Sequence, residues 1–416
     1  MRVLWITNTI FPAPSKALGI PAPVMGGWMY GLANQLATTE NIQLAVATTY
    51  NGNQLKNFNI DGVFYYLLPH VNSTSYPQIL ESYWQNICTE FQPNVVHMHG
   101  TEYAHGLACM RACPLLNYVI SIQGLVSIYA RYYFAGLSLS ELLKNITFRD
   151  IVRFDTLFQA KNKFIKRGLF EQEYIQRTQH VIGRTSWDYA HTKTINPSVN
   201  YHFCNETLRD GFYNSQKWNI INKTDFTIFL SQAAYPIKGL HQVLKAVGLL
   251  KNVFPLIKIR IAGDSIINTT SLKDKIKLVG YGSYIIKLIN ILKLHDQVQF
   301  TGTLTESQMI TEYLNAHLFI CPSSIENSPN SVGEAQVLGV PVIAAYVGGI
   351  SDMVEHAETG LLYRFEEIEI LAGHIRNLFS DDALANYLSI NEIQVSTKRH
   401  SNNINKTIDI YHDTFK

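Results

Sequence analysis

The chain reads as an α/β protein built on two doubly wound parallel sheets. Three observations predict this. Short apolar runs of strand length alternate with helical stretches along most of the chain, the pattern of strands joined by crossover helices. Runs close on residues that break an extended segment, as at Asn8, Gly100, Gly124 and Gly263-Asp264. A polar stretch at 214–225 divides the alternation into halves, and 416 residues are enough for a core in each.

Composition narrows the class. Apolar residues are 47% and charged residues 16% of the chain, which fits a globular protein. A net charge of +2 carries no global signal for nucleic acid, and no nucleic-acid partner is expected. The five cysteines are odd in number and scattered. Cys109 and Cys113 lack a second pair or nearby histidines, which argues against a metal centre. They read as thiols of a reducing cytosol. The N-terminus enters a strand at once, too short a run for a signal peptide. No stretch reaches the roughly 18 apolar residues of a membrane span. A cytoplasmic chain is the expectation.

In the first half, residues 3–6 form a buried strand, and the loop 8–27 after it is long and rich in Pro and Gly. Long ordered loops in compact domains are usually functional. Gly26-Gly27 opens a helical stretch at 28–37, where paired glycines let a backbone approach a phosphate. The pair is not a full G-x-G-x-x-G, so dinucleotide binding is not predicted. Strands follow at 42–48, 63–68, 95–99 and 118–123. Ligands of such sheets lie beyond the carboxyl ends of strands. His97 and His99 share one side of such an end, either as structural hydrogen bonders or as ligand contacts, and no third metal ligand accompanies them.

Residues 125–170 differ from the rest. Tyr129, Arg131, Tyr132, Tyr133 and Phe134 come first. From 141 to 170, seven basic residues face three acids, a local +4 against +2 for the whole chain. Ile146, Ile151, Phe154, Leu157, Phe158, Phe164 and Ile165 are interleaved. Two readings stand: a solvated basic face on helices packed to the first domain, or a docking face for an anionic membrane. Residues 181–185 read as the last strand of that domain, with Arg184 at its end facing a cleft or the surface. Residues 201–206 lead to the crossover.

The second half opens with a strand at 226–231. Lys238 follows at the mouth of a strand-to-helix turn, where a point charge suits phosphate. Strands at 257–262 and 298–302 end at Gly263-Asp264 and Gly302. A helix at 306–316 and a strand at 318–321 lead into the turn holding Glu326 and Glu334, with seven residues between them. Ser328 is expected as N-cap and Pro329 as the first helical residue. The N–H groups of Asn330, Ser331 and Val332 would then point out of the helix start, where the dipole favours an anion. Carboxylates bind hydroxyls and amides bind phosphate, so this turn suits a sugar joined to a phosphate. Residues 342–345, Gly348-Gly349 and 359–362 complete the sheet, and a last helix is expected at about 404–415.

Glu-x7-Glu, the wording Pro329-Asn330-Ser331-Val332-Gly333-Glu334-Ala335, then Gly339-Val340-Pro341-Val342 and Gly348-Gly349, resemble the nucleotide-sugar-dependent retaining glycosyltransferases of the two-Rossmann-domain (GT-B) type, specifically family 4. The resemblance is strong over about 226–380 and loose in the first half. It implies two Rossmann-like domains facing a cleft: 1–213 on the acceptor side with 125–170 as an insertion, 214–400 for the nucleotide sugar, and a helix at 401–416 returning to the first domain. It implies Glu326 on sugar hydroxyls near the reaction centre and Glu334 on the ribose diol. Lys238 and the amides of Asn330, Ser331 and Val332 would face the diphosphate, as would Gly26 and Gly27. The segment ending at Gly302 would hold the base, and His99 would lie near the reacting sugar or acceptor.

One departure stands out. The family's usual arginine five residues before the lysine is Ala233 here. Arg184, backbone amides or a divalent ion are the candidates to replace it, and with no Asp-x-Asp at a strand end no metal or cofactor is expected. The implied activity is transfer of a sugar from a UDP- or GDP-type donor to a hydroxyl, with retention. A cytosolic member with a basic aromatic insertion suits surface polysaccharide assembly on a lipid carrier, peripheral to the inner membrane face. The alternatives are a sugar-nucleotide epimerase on the same scaffold and a non-catalytic glycan- or membrane-binding protein.

Overall fold

The computed structural model describes residues 1–21, 27–399 and 403–414. They form two compact units. The first holds Met1–Ala130, Lys163–Arg209 and the C-terminal helix Asn403–Asp413; the second holds Arg131–Asn162 and Asp210–Arg399.

The first unit is an eight-stranded sheet. Its strands are β1 (Arg2–Ile6), β2 (Gln43–Thr49), β3 (Lys56–Ile60), β4 (Val63–Leu68), β5 (Val95–His99), β6 (Tyr118–Ser121), β7 (His180–Gly183) and β8 (Asn200–Phe203). They lie in the order β3-β4-β2-β1-β5-β6-β7-β8. All neighbours are parallel except β3 and β4. Strand alternation builds a core on each face. Leu4, Ile6, Ala45, Val96, Met98 and Ile120 meet on one side. Val3, Trp5, Val46, Val95 and Val119 meet on the other, where Tyr411 of the C-terminal helix joins them. Trp5 Nε1 donates to the Tyr411 hydroxyl at 2.9 Å, which ties that helix to β1.

Two strands were not expected. β3 is the antiparallel partner of β4, joined through Asp61 and Gly62, both at positive φ. That is the backbone a tight two-residue hairpin requires. The sequence predicts the last strand at 181–185, but β8 pairs beyond it. β8 is a short edge strand with no fully buried residue, so no apolar run marks it.

The second unit is a six-stranded, wholly parallel sheet. Its strands are β9 (Thr227–Leu230), β10 (Lys258–Ile261), β11 (Val298–Phe300), β12 (Leu318–Cys321), β13 (Val342–Ala345) and β14 (Leu361–Tyr363). The order is β11-β10-β9-β12-β13-β14. β9, β12 and β13 are buried along their whole length, as expected where helices cover both faces.

The basic aromatic insertion is not wholly part of the first unit. Residues Arg131–Asn162 pack with the second, and the boundary falls inside the helix Leu157–Arg177. Polar contacts explain why. His241 Nε2 donates to the Ala135 carbonyl at 2.9 Å, and Tyr281 OH donates to His241 Nδ1 at 3.0 Å. Tyr284 OH donates to Glu141 at 3.0 Å, and Lys287 Nζ to the Lys144 carbonyl at 2.9 Å. Burial pulls the His241 pKa down to about 4, so the ring is neutral and makes both bonds.

Candidate functional site

In the second unit the chain runs outward from β9 through β10 to β11, then restarts beside β9 with β12. The order therefore reverses between β9 and β12. Doubly wound sheets open a crevice at the carboxyl ends of the two strands at such a reversal. The turns leaving β9 and β12 carry Lys238 and Glu326.

These two turns are knitted together. The Ser324 N–H donates to the Ile237 carbonyl at 2.8 Å. Gly239 has φ +69°, and a Cβ there would overlap the Pro322 carbonyl oxygen. Only glycine combines that conformation with that approach. Lys238 Nζ forms an ion pair with Glu326 Oε1, and Ser323 Oγ donates to the same oxygen at 2.8 Å. The two paired side chains are only 11% and 9% exposed. Burial works against the Lys238 ammonium, but the Glu326 carboxylate and Tyr235 outweigh it and hold the pKa above the usual lysine value. The Glu326 backbone is fixed too: the Gly349 N–H donates to its carbonyl at 3.1 Å. Gly348, at φ +53°, sits where a Cβ would overlap that carbonyl oxygen.

The helix after Glu326 is Asn330–Leu338. Its N-cap is Pro329, not Ser328, whose hydroxyl instead points to Met353 Sδ at 3.5 Å. The Val332 N–H returns to the Pro329 carbonyl at 3.0 Å. Val332 is therefore not an outward donor; the amides of Asn330 and Ser331 are the ones at the open helix start. Glu334, on the next turn, is buried. Tyr313 OH donates to the Ser331 carbonyl at 2.9 Å and lies 3.5 Å from Glu334 Oε2, bracing both. Gly339 ends the helix in the left-handed conformation, with the Val340 N–H bonded to the Ala335 carbonyl at 2.9 Å. At the ends of β10 and β11, Gly263 donates to the Gly302 carbonyl at 3.0 Å. Both glycines have positive φ, with open space where a Cβ would stand.

The first unit has its own order reversal, between β1 and β5. His99 ends β5, fully buried against Trp5 and His97, with ring centroids at 4.2 and 3.9 Å. Burial first, then the neighbouring His97, holds its pKa well below the ordinary histidine value. His97 is braced at both nitrogens, by Tyr411 OH at 2.6 Å and Ser121 Oγ at 2.7 Å. The Tyr411 and Ser121 hydroxyls each donate or accept, so His97 is held whichever ring nitrogen carries the proton. His97 is thus the structural hydrogen bonder of the pair.

His99 and Arg184 line one small cavity of about 30 Å³. The Arg184 guanidinium pairs with Glu206 at 2.8 Å and donates to the carbonyls of Ile122 and Gln123 at 2.9 and 3.2 Å. It is buried and engaged within this unit, so the surface position does not hold. Gly26 lies outside the described residues, and Gly27 is the first residue of the helix Gly27–Ala37. Ala233 is buried and brings no cation to the second unit. Sequence reasoning missed Ser323, Tyr313 and Glu206. Ser323 stands three residues before Glu326, a spacing that could have flagged it; the other two reach their partners only through the fold.

Residues 213–395 match the family described as Glycosyl transferases group 1. The chain is similar to the capsular polysaccharide biosynthesis glycosyltransferase CapM of Staphylococcus aureus, at 32% identity over 110 residues, 26% of this chain and 29% of that protein. Such matches span between 12% and 34% of the curated relatives' lengths. Among solved structures, sucrose-phosphate synthase from Thermosynechococcus elongatus superposes with a TM-score of 0.73 at 15% identity, over 100% of this chain and 99% of that one. Anabaena Alr3699/HepE in complex with UDP-glucose gives 0.64 at 14% identity, over 100% and 99%. These likenesses establish the two-sheet GT-B fold. The likeness to the glycosyl transferases group 1 family is thus carried by residues 213–395 of this chain.

Proposed function

We propose that the protein is a retaining glycosyltransferase of the GT-B type, moving a sugar from a nucleotide-diphosphate donor to a hydroxyl acceptor. The observation that carries this reading is the convergence of Lys238, Glu326 and the start of the helix Asn330–Leu338 at the order reversal of the second sheet. Bond breaking leaves charge on the departing diphosphate. The Lys238 ammonium and the amides of Asn330 and Ser331 stabilise that charge without reorganising, which lowers the barrier. Glu334 takes the ribose diol, and backbone near Gly302 takes the base. Lys238 and Ser323 both bond Glu326 Oε1, which leaves Oε2 for a sugar hydroxyl. His99, held neutral by burial, is assigned to the acceptor in this proposal. Retention here needs no protein nucleophile: the acceptor attacks on the face the diphosphate leaves, and a diphosphate oxygen takes its proton. No metal or cofactor is assigned a part.

The acceptor is proposed to be a lipid-linked glycan in surface polysaccharide assembly, with the protein cytoplasmic and peripheral to the membrane. CapM, named for capsular polysaccharide biosynthesis, supports the pathway class. UDP-glucose in Alr3699/HepE supports a nucleotide sugar as donor. The test is transfer by purified Glu326→Ala and Lys238→Ala. Loss of transfer in Glu326→Ala, with folding and donor binding kept, supports the assignment. Unchanged transfer in both variants refutes it.

A further inference from the structure

The second unit leaves an apolar surface uncovered. Phe148, Ile151, Val152 and Phe154 are between 59% and 74% exposed, and Leu272 and Ile276 are 79% and 62% exposed. The helices Phe148–Val152 and Leu272–Lys277 are neighbours, so these exposed side chains stand on adjoining elements. Scattered exposed apolar residues need no explanation, but six on two adjoining elements are the kind of surface that binds a partner.

Charge on this surface is sorted by sign. Asp150 and Asp274 turn back to cap their own helices, accepting from Thr147 N at 3.1 Å and Ser271 Oγ at 2.6 Å. Asp150 is only 2% exposed. Arg153, Lys273, Lys275 and Lys277 stand out in solvent. Asp274 stays half-exposed and Asp155, 34% exposed, pairs with Arg149 at 3.4 Å, so with its acids engaged and four cations in solvent the surface is apolar and net basic.

Phe154 sharpens the point. It has φ +50°, at the position after a helix where glycine is usual. The Asp155 N–H bonds the Asp150 carbonyl at 2.9 Å, and the Phe154 N–H bonds the Ile151 carbonyl at 3.2 Å. A left-handed aromatic residue is strained. Its ring is 74% exposed, so packing inside the unit does not offset the strain.

We infer that this face docks on an anionic phospholipid bilayer. The phenyl and aliphatic side chains enter the headgroup boundary, and the basic side chains meet lipid phosphates. A second copy of the chain would set the same positive charge against itself, whereas an anionic bilayer complements it. The docking stands on the surface alone; only its use, bringing a lipid-linked acceptor within reach, rests on the transferase reading above.

The test is co-sedimentation of the full chain with phosphatidylcholine vesicles, with and without phosphatidylglycerol. Binding is expected to the mixed vesicles and to weaken as salt is raised. It should fall about tenfold in Phe148→Ser/Phe154→Gly and in Lys273→Glu/Lys277→Glu. Phe154→Gly alone should raise the melting temperature while weakening vesicle binding; a packing role for the ring would lower it. The proposal is overturned if the wild type ignores mixed vesicles, or if both double variants bind as the wild type does. It is also overturned by a concentration-dependent dimer, lost in the apolar variant, with no vesicle binding. UDP or GDP binding should be unchanged in these variants, so a failure here is distinct from a failure of the transferase reading.

Discussion

Gly239 and Gly302 both sit at positive φ, but only Gly239 faces a backbone atom where a side chain would be. Gly302→Ala is expected to cost about 1 kcal/mol, the strain of a left-handed alanine. Gly239→Ala adds a clash with the Pro322 carbonyl and should cost about 3 kcal/mol or more. Urea unfolding of the two variants measures the difference, and equal losses would mean that the β9 and β12 turns are not held as close as described. Lys238 is the second test at this scale. Lys238→Met strands the buried Glu326 carboxylate, a loss of about 3 kcal/mol when one member of a buried pair is removed. Transfer should fall by roughly a hundredfold, since a preformed donor to the departing charge is gone.

At the scale of elements, His241 joins the segment Arg131–Asn162 to the helix Leu240–Leu250. Burial depresses its pKa to about 4 in the folded state, against about 6.5 when unfolded. The folded form then binds fewer protons than the unfolded chain between these values. Its contribution is full above pH 6.5 and is lost as pH falls toward 4, by up to about 3 kcal/mol. Denaturant unfolding between pH 7 and 4.5 (about the window set by those values) should show stability falling, with a shallower fall in His241→Gln. Identical slopes would remove His241 as the cause. This contact spans 106 residues of sequence, which is why the placement of the segment was not legible. Its charge and aromatic content were visible; its partner, a buried histidine on a helix of the second unit, was not. β3 is unmarked in the sequence for a related reason: Phe58 and Ile60 alternate with polar residues, and only pairing with β4 makes them a strand. The Glu-x7-Glu turn was legible because strand, turn and helix follow one another locally. The misplaced cap arose because Pro329, at φ −69° and ψ 123°, suits the cap position as well as the first helical one. The Val332 amide is turned inward by its own i→i−3 bond to the Pro329 carbonyl, which tightens the first turn.

At the scale of the molecule, each unit repeats one plan: a parallel sheet whose order reverses beside its first strand, with polar residues gathered at that reversal. In the second unit these are Lys238, Glu326 and the start of the helix Asn330–Leu338; in the first they include His99 and Arg184. A donor that binds only the folded chain raises its melting temperature by mass action, equivalent to about 2.7 kcal/mol at a hundred times its dissociation constant. A thermal-shift series across nucleoside diphosphates should single out one base, and a flat response to all would contradict donor binding.

Calorimetric titration of UDP and GDP into the wild type, Glu334→Gln and Glu326→Gln tests the central claim most directly, with transfer assayed alongside. The account predicts that one nucleotide binds the wild type and binds Glu334→Gln at least about tenfold more weakly, because a charged partner to the ribose diol is lost. Glu326→Gln should keep nucleotide binding and lose transfer. A folded wild type that binds neither nucleotide, or three proteins that bind and react alike, would contradict it.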